Sequence, residues 1–358
     1  MIESRTGKIL GELEKRDLCA FLFVSKGRQG QDMLYYLTGF RGFGGVVCWT
    51  RDGGHLFVHP MDAAKAADDS FCQSAGDEEP LQRACELVAA ADCVGFDPTS
   101  ISVREYETII GCLEEGHLRD AADFTTHLAL YKEPWEQDLL REAGRVVTRA
   151  VEETFSSLRE GMSELDAARE LGARIYQNRG EDIAFLLVAF GENAAYPHHL
   201  PSQERHLRHG DFVLIDCGAH VGGYASDITR TAVWGEPTER QKRLYDLAWR
   251  AQQEALDRLR VGVTAGDVDA AARRVIEDAG MGDRFIHSLG HGLGFTPLPQ
   301  LRRGDRMPLE EGMTFTVEPG IYIPGFGGVR IEDDVLFTRE GPDLLTGARS
   351  ETLISLPR

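Results

Sequence analysis

The feature that most constrains this chain is an acidic residue closing a strongly apolar run, and it occurs twice. Gly210-Asp211-Phe212-Val213-Leu214-Ile215-Asp216 is matched by Gly312-Met313-Thr314-Phe315-Thr316-Val317-Glu318. At nearly the same offset, Gly161-Met162-Ser163-x-x-Asp166-Ala167-Ala168-Arg169 is matched by Gly262-Val263-Thr264-x-x-Asp267, followed by Ala271-Ala272-Arg273. Each copy reads as two helices and then a β pair carrying an acid at its end. Two related halves facing each other bring their carboxylates together in the middle, so the pattern predicts internal pseudo-twofold symmetry.

The rest of the chain fits around that pair. A length of 358 residues favours two domains, and Tyr131-Lys132-Glu133-Pro134 marks a boundary where proline suits the first turn of a helix. Residues 1–130 read as a smaller α/β domain, with strands at 18–24, 45–50, 55–59 and 93–96 and helices at 81–91 and 104–115. Its His55, His59, His117 and His127 are scattered, as structural or surface histidines are. Residues 131–358 read as a larger mixed α/β (α+β) domain. Helices are expected at 136–158, from Ser163 to near Gly180, at 239–260 and at 265–279. The strands are a buried one around 183–190 and β segments at 211–218, 224–234, 314–318 and 329–338, with a glycine-rich loop at 288–294.

Composition narrows the function. Lys and Arg number 39 against 58 Asp and Glu, a formal net charge of −19. That balance argues against nucleic acid, which needs a basic face, and against an anionic membrane surface. The run at 183–190 is too short to span a bilayer, and residues 1–10 lack the apolar stretch of a signal peptide. Seven cysteines with no C-x-x-C suggest neither a disulfide framework nor a thiolate zinc site. Reduced thiols in a cytoplasm fit this usage.

The chemistry lies with the acids. Asp216 ends Phe212-Val213-Leu214-Ile215, and Asp227 lies inside Ala225-Ser226-Asp227-Ile228-Thr229-Arg230-Thr231, read as the middle of the partner strand. Glu318 follows 314–317, and Glu332 stands between Ile331 and Val335-Leu336-Phe337. A carboxylate in such a place is costly unless paired, protonated or metal-bound, and four together repel. Two divalent cations neutralise four carboxylates, and bridging carboxylates hold such ions ~3.5–4 Å apart. One imidazole completes the set: His291 sits in Gly290-His291-Gly292-x-Gly294, where glycines allow close backbone approach.

These segments, Leu214-Ile215-Asp216-Cys217-Gly218, Ser226-Asp227-Ile228-Thr229-Arg230-Thr231, Ser288-Leu289-Gly290-His291-Gly292-Leu293-Gly294, Thr316-Val317-Glu318-Pro319-Gly320 and Arg330-Ile331-Glu332-Asp333-Asp334, resemble the metal motifs of the pita-bread metallopeptidases. Tyr35-Tyr36-Leu37-Thr38-Gly39-Phe40 and the extra N-terminal domain are similar to the aminopeptidase P and prolidase branch. The resemblance implies a creatinase-like domain over 1–130 and a pita-bread catalytic domain over 131–358. It implies a dinuclear centre on Asp216, Asp227, His291, Glu318 and Glu332, a small proline-containing peptide as substrate, and a homodimer. The metals suiting one imidazole among carboxylates are Mn²⁺ or Co²⁺, with Zn²⁺ or Fe²⁺ as alternatives. In such enzymes a water bridging the ions loses a proton and attacks the carbonyl, and Glu318 is the matching proton shuttle.

The resemblance also assigns second-tier residues. Gly191-Glu192-Asn193-Ala194-Ala195-Tyr196-Pro197-His198 resembles the segment carrying a substrate-contacting histidine, which selects His198 and leaves His199 a bystander pointing the other way. His287 matches a further histidine near the site. Arg330 either reaches a substrate carboxylate or braces a metal ligand, and Tyr224 either donates to substrate or packs. Arg302 and Arg303 read as solvated. One departure stands out: where active relatives carry a histidine seven positions after the metal ligand, this chain has Leu298. Loss of such a donor costs on the order of 100-fold in rate, which leaves open a different amide hydrolase, a lyase, or a weakly active metal-binding homologue. Metal-free members such as creatinase have replaced the ligands, and all five are present here.

Overall fold

The computed structural model describes residues 2–27, 33–113 and 115–357. The chain divides into two compact units, Met1–Ala129 and Leu130–Arg358.

In the first unit a six-stranded sheet runs in the order Gln73–Gly76, Gly53–Val58, Gly45–Thr50, Ala20–Ser25, Val94–Phe96, Leu118–Asp120. Ala20–Ser25 is buried along its whole length, which explains its unbroken apolar sequence: both faces are covered. On one side Phe21 stacks on Phe124 at 4.0 Å. On the other, Leu22, Val24 and Cys48 pack against Ala84, Cys85 and Ile109 of two helices. Thr50 pairs with Gly53, leaving Arg51-Asp52 as the hairpin turn. The helix expected at 81–91 is Pro80–Leu87, and the one expected at 104–115 is Val103–Cys112; Glu114, within that second range, lies outside the described residues. The sequence reading missed the helices Ile2–Lys15 and Ala122–Leu128.

The second unit is built twice over. Pro134–Ser157 and Glu164–Gln177 are followed by a sheet, and so are Glu239–Arg258 and Ala265–Asp278. The two halves share their local stereochemistry as well as their order. Ser163 caps its helix by accepting from Asp166 N at 3.1 Å, and Thr264 does the same from Asp267 N at 3.2 Å. Gly161 and Gly262 both have left-handed backbone, φ +83° and +90°. Each cap residue also forms an isolated bridge downstream, Ser163 to His206 and Thr264 to Pro308.

Sheet register aims the acids. Phe212–Val221 lies between Asp182–Phe190 and Ile228–Trp234, antiparallel to both. Val213, Ile215 and Cys217 face the core formed with Val147, Leu171 and Val188, whereas Phe212 and Leu214 face the core of the other half. Alternation therefore puts Asp216 on the side of Phe212 and Leu214, toward the second half. In Thr314–Val317, paired with Asp333–Thr338, Phe315 and Val317 join the core, and Thr314, Thr316 and Glu318 share the opposite face.

Three expectations need correction. The segment 224–234 is not one strand: Tyr224–Ala225 and Ile228–Trp234 are separate, and Asp227 sits in the break because its N–H leaves the ladder to donate to Asp334 Oδ2 at 3.0 Å. The segment 329–338 breaks likewise at Ile331-Glu332, between Gly327–Arg330 and Asp333–Thr338. The apolar run at 183–190 is a strand, Asp182–Phe190, but only Val188–Phe190 is buried; Phe185, Leu186 and Leu187 border a cavity, and Leu186 also packs against the core. No helix among the described residues is long and apolar enough to cross a membrane.

The glycine-rich loop runs beside Thr314–Val317 as an extra strand would: Glu318 N donates to Leu289 O and Thr316 N to His291 O, both at 2.8 Å. A Cβ at Gly290 would lie 1.9 Å from the Thr316 carbonyl oxygen, so Gly290→Ala must push apart the segments that carry His291 and Glu318. We expect it to cost about 1–3 kcal/mol, read as a lower urea midpoint for the C-terminal unit. An unchanged midpoint would contradict this packing.

Candidate metal centre

Asp216, Asp227, His291, Glu318 and Glu332 converge on one cavity of about 970 Å³, which His198, His287 and Arg330 also line. Asp216, Asp227 and Glu332 are buried, and Glu318 is half-buried. Ligand atoms of Asp227, His291 and Glu332 all lie within 4.8 Å of one another.

The imidazole makes the requirement plain. His291 Nδ1 lies 3.1 Å from the Gly292 carbonyl oxygen, an acceptor only, so the proton belongs on Nδ1. The Nε2 lone pair then faces Asp227 Oδ2 and Glu318 Oε1, each at 3.6 Å. That separation is too long for a hydrogen bond and sets three possible electron-pair donors around one point. Asp216 Oδ1 and Asp227 Oδ1 are buried without a hydrogen-bond partner. One imidazole nitrogen, carboxylate oxygens and orphaned buried acceptors are the donor set a divalent cation completes. The residues fit such an ion.

Electrostatics points the same way. Burial, then repulsion from Glu332, Asp216, Asp334 and Glu318, pushes the Asp227 carboxyl well above the usual range. Burial, then Glu318 and Asp216, does the same to Glu332. Glu318 is pushed up to about 8, mainly by burial. Asp216 is also raised by burial, although Arg330 opposes the shift.

A layer of buried polar contacts holds the acids in place. Arg330 donates through Nη2 to Asp216 Oδ2 at 2.5 Å, through Nε to Thr229 Oγ1 at 2.8 Å and through Nη1 to the Tyr322 hydroxyl at 2.9 Å. Thr229 Oγ1 in turn donates to Glu332 Oε2 at 2.6 Å, joining the two halves. Thr316 Oγ1 donates to Glu318 Oε1 at 3.1 Å. Gln252 Nε2 reaches the carbonyls of Val317 and Ile331, the residues just before Glu318 and Glu332, both at 3.2 Å. Asp334, buried behind Asp227, is itself raised well above the usual range by burial.

Of the second-tier residues, His287 borders the cavity with both ring nitrogens engaged: Nδ1 donates to Ser288 O at 2.7 Å, so Nε2 accepts from the Tyr322 hydroxyl at 2.9 Å. Burial pushes its pKa down to about 4, so the ring is neutral at pH 7. His198 stands exposed on the rim, near enough to Asp216 to favour its charged form. Of the two roles open to Arg330, its hydrogen bond to Asp216 corresponds to bracing a ligand. Tyr224 does not line the cavity; it is fully buried and donates to Glu136 Oε1 at 2.5 Å, with Trp135 and Phe295 edge-on. Arg302 and Arg303 are exposed and paired with Asp305 and Glu277. Leu298 packs against the core and is not among the described residues lining the cavity. Sequence reasoning missed Thr229, Thr316, Gln252, Tyr322 and Asp334; alternation hinted at Thr229 and Thr316, each two residues from a ligand on the same side.

Four carboxylates and an imidazole, gathered where two related halves meet, define a metal-dependent hydrolytic enzyme. Residues 138–339 match the family model for Metallopeptidase family M24, and residues 5–128 match the Creatinase/Prolidase N-terminal domain. The chain belongs to metallopeptidase family M24, which implies divalent metal ions. An Xaa-Pro dipeptidase of Lactobacillus delbrueckii subsp. lactis is 40% identical over 227 residues, 62% of this chain and 61% of that protein. An Xaa-Pro dipeptidase of Pyrococcus furiosus is 33% identical over 89% of this chain and 92% of its own length. The structure of an X-Pro aminopeptidase from Thermotoga maritima superposes with a TM-score of 0.90 at 26% identity, covering 98% of this chain and 99% of that one.

Stability of the metal-free protein should fall with pH. A carboxyl raised from 4.5 to about 8 on folding, as at Glu318, contributes stability that is complete below the unfolded value and lost as pH rises through the folded one. Asp227 and Glu332 act with the same sign. Melting of chelator-stripped protein should therefore come at a lower temperature near pH 9 than near pH 6. The combined Asp227→Asn and Glu332→Gln variant should flatten that difference. A higher melting temperature on the alkaline side would contradict the assignment.

Proposed function

We propose that this peptidase is an exopeptidase that hydrolyses the bond preceding proline in small peptides, as an Xaa-Pro dipeptidase or Xaa-Pro aminopeptidase does. Two divalent ions, Mn²⁺ or Co²⁺ with Zn²⁺ and Fe²⁺ as alternatives, would be held by Asp216, Asp227, His291, Glu318 and Glu332. The observation that carries this reading is the convergence of His291 Nε2 with Asp227 Oδ2 and Glu318 Oε1, each 3.6 Å away. The substrate class is supported by the names of the relatives.

When bound, such ions supply Lewis acidity, lowering the pKa of a water and polarising the scissile carbonyl. The protein's own groups do the rest. Glu318 is the group placed to take a proton from the attacking water and deliver it to the leaving nitrogen. Proline's imino nitrogen offers no hydrogen to donate, so what it needs from the site is that proton. Arg330 keeps Asp216 oriented and offsets part of the negative charge. His287, neutral and tied to Tyr322, forms a fixed wall, and His198 on the rim meets the substrate. The described cysteines are free thiols, which supports a reducing, cytoplasmic setting, and the reading extends to a homodimer.

A second reading rests on Leu298. With an apolar side chain packed away from the cavity there, a donor to the peptide carbonyl is missing from that side, which favours a different amide substrate or slow turnover.

The test is an assay of metal-loaded protein over Xaa-Pro dipeptides, Xaa-Pro-Xaa tripeptides and matched peptides lacking proline. We expect cleavage confined to the proline series, with Glu318→Gln lowering kcat by at least about 100-fold while retaining the wild-type circular dichroism spectrum. Cleavage restricted to peptides without proline would overturn the substrate assignment, and native turnover by Glu318→Gln would overturn the shuttle.

A further inference from the structure

Glu164 opens the helix Glu164–Gln177 and is fully buried. It does not border the cavity, yet every hydrogen bond its carboxylate accepts comes from the segment that carries His198. Oε1 accepts from Phe190 N at 2.8 Å and Asn193 Nδ2 at 3.0 Å. Oε2 accepts from His199 Nε2 at 2.8 Å and Ser202 N at 3.0 Å. Because a carboxylate only accepts, the His199 proton on that side points to Glu164. The acceptor capacity of the carboxylate is filled.

These donors bracket His198, with Asn193 before it and His199 and Ser202 after it. Between them the chain has little to hold it. After the 3-10 turn Gly191–Ala195, the backbone bonds locally, Tyr196 N to Asn193 O at 3.1 Å and His199 N to Tyr196 O at 3.0 Å, until Ser202 O accepts from Leu165 N at 3.2 Å. A segment so sparsely bonded opens locally unless something outside it ties it down. His199 borders the cavity too, but its Nε2 is committed to Glu164, so it differs from the bystander suggested by the sequence.

We propose that Glu164 and His199 are positioning residues: as a carboxylate–imidazole clamp they hold the 191–202 segment so that His198 keeps its place at the cavity, and they affect turnover through His198 alone. The proposal rests on the exopeptidase reading above. A displacement on the order of 1 Å at a substrate-positioning group costs up to about 100-fold in rate, so the clamp has a measurable consequence. Glu164→Gln keeps the shape but turns one oxygen into a donor facing two donors. His199→Ala, at a half-buried position, removes one tie with less risk to folding.

The experiment is a double-mutant cycle in kcat/KM on the full, metal-loaded chain with an Xaa-Pro substrate, combined with amide hydrogen exchange. His199→Ala should lower kcat/KM about tenfold in the native background and change it less than twofold in the His198→Ala background. Exchange across 191–202 should rise about tenfold or more in His199→Ala and in Glu164→Gln. Equal tenfold losses in both backgrounds would reduce the pair to general structural support and overturn the proposal, as would full activity of His199→Ala. If the wild-type chain cleaves no Xaa-Pro peptide, the function reading falls separately; exchange at 191–202 unchanged by both variants would then overturn the clamp itself.

Discussion

The structure depends on the repulsion of carboxylates gathered where water does not reach. At an effective dielectric of 20, two unit charges 4 Å apart repel by about 4 kcal/mol, and a folded domain has only about 5–15 kcal/mol in hand. Four bare acids would consume that margin. Arg330 offsets one of them, Asp216, and the upward pKa shifts of the others record the remainder. Cations between the acids turn the same arrangement from a liability into a binding site, and the fold makes sense as a frame for holding them.

That frame gets its precision from symmetry. Each half contributes one acid through a strand, Asp216 in the middle of Phe212–Val221 and Glu318 just past Thr314–Val317, and another at the break before its partner, Asp227 or Glu332. The breaks are where backbone groups leave the ladder and bond elsewhere, as Asp227 N does with Asp334 and Glu332 N with the Thr229 carbonyl. Thr229 and Gln252 then cross-link the acids of one half to the other and to each other. The candidate ligands are thus held by regular structure and buried hydrogen bonds, which suits a centre needing sub-ångström placement.

The convergence of the acids was legible in the sequence because an acid inside an apolar strand is an anomaly that demands an explanation. The supporting residues were not, since a threonine in a strand or a glutamine on a helix is ordinary until tertiary register shows what it touches. Periodicity misjudged 183–190, because an apolar strand facing a cavity has the same pattern as one facing a core. It misjudged His199 as well: alternation gives the direction of a side chain but not the buried glutamate, 35 residues earlier, that meets it. Breaks at Asp227 and Glu332 were hidden because the flanking residues have high strand propensity and only the competing hydrogen bonds interrupt them.

The most direct measurement of the central claim is a titration of chelator-stripped protein with Co²⁺, followed by visible absorption and by calorimetry. The account predicts two saturable equivalents per chain, with the stronger one lost in Asp227→Asn and in His291→Ala. Absence of saturable binding, or binding unaffected by either substitution, would contradict it.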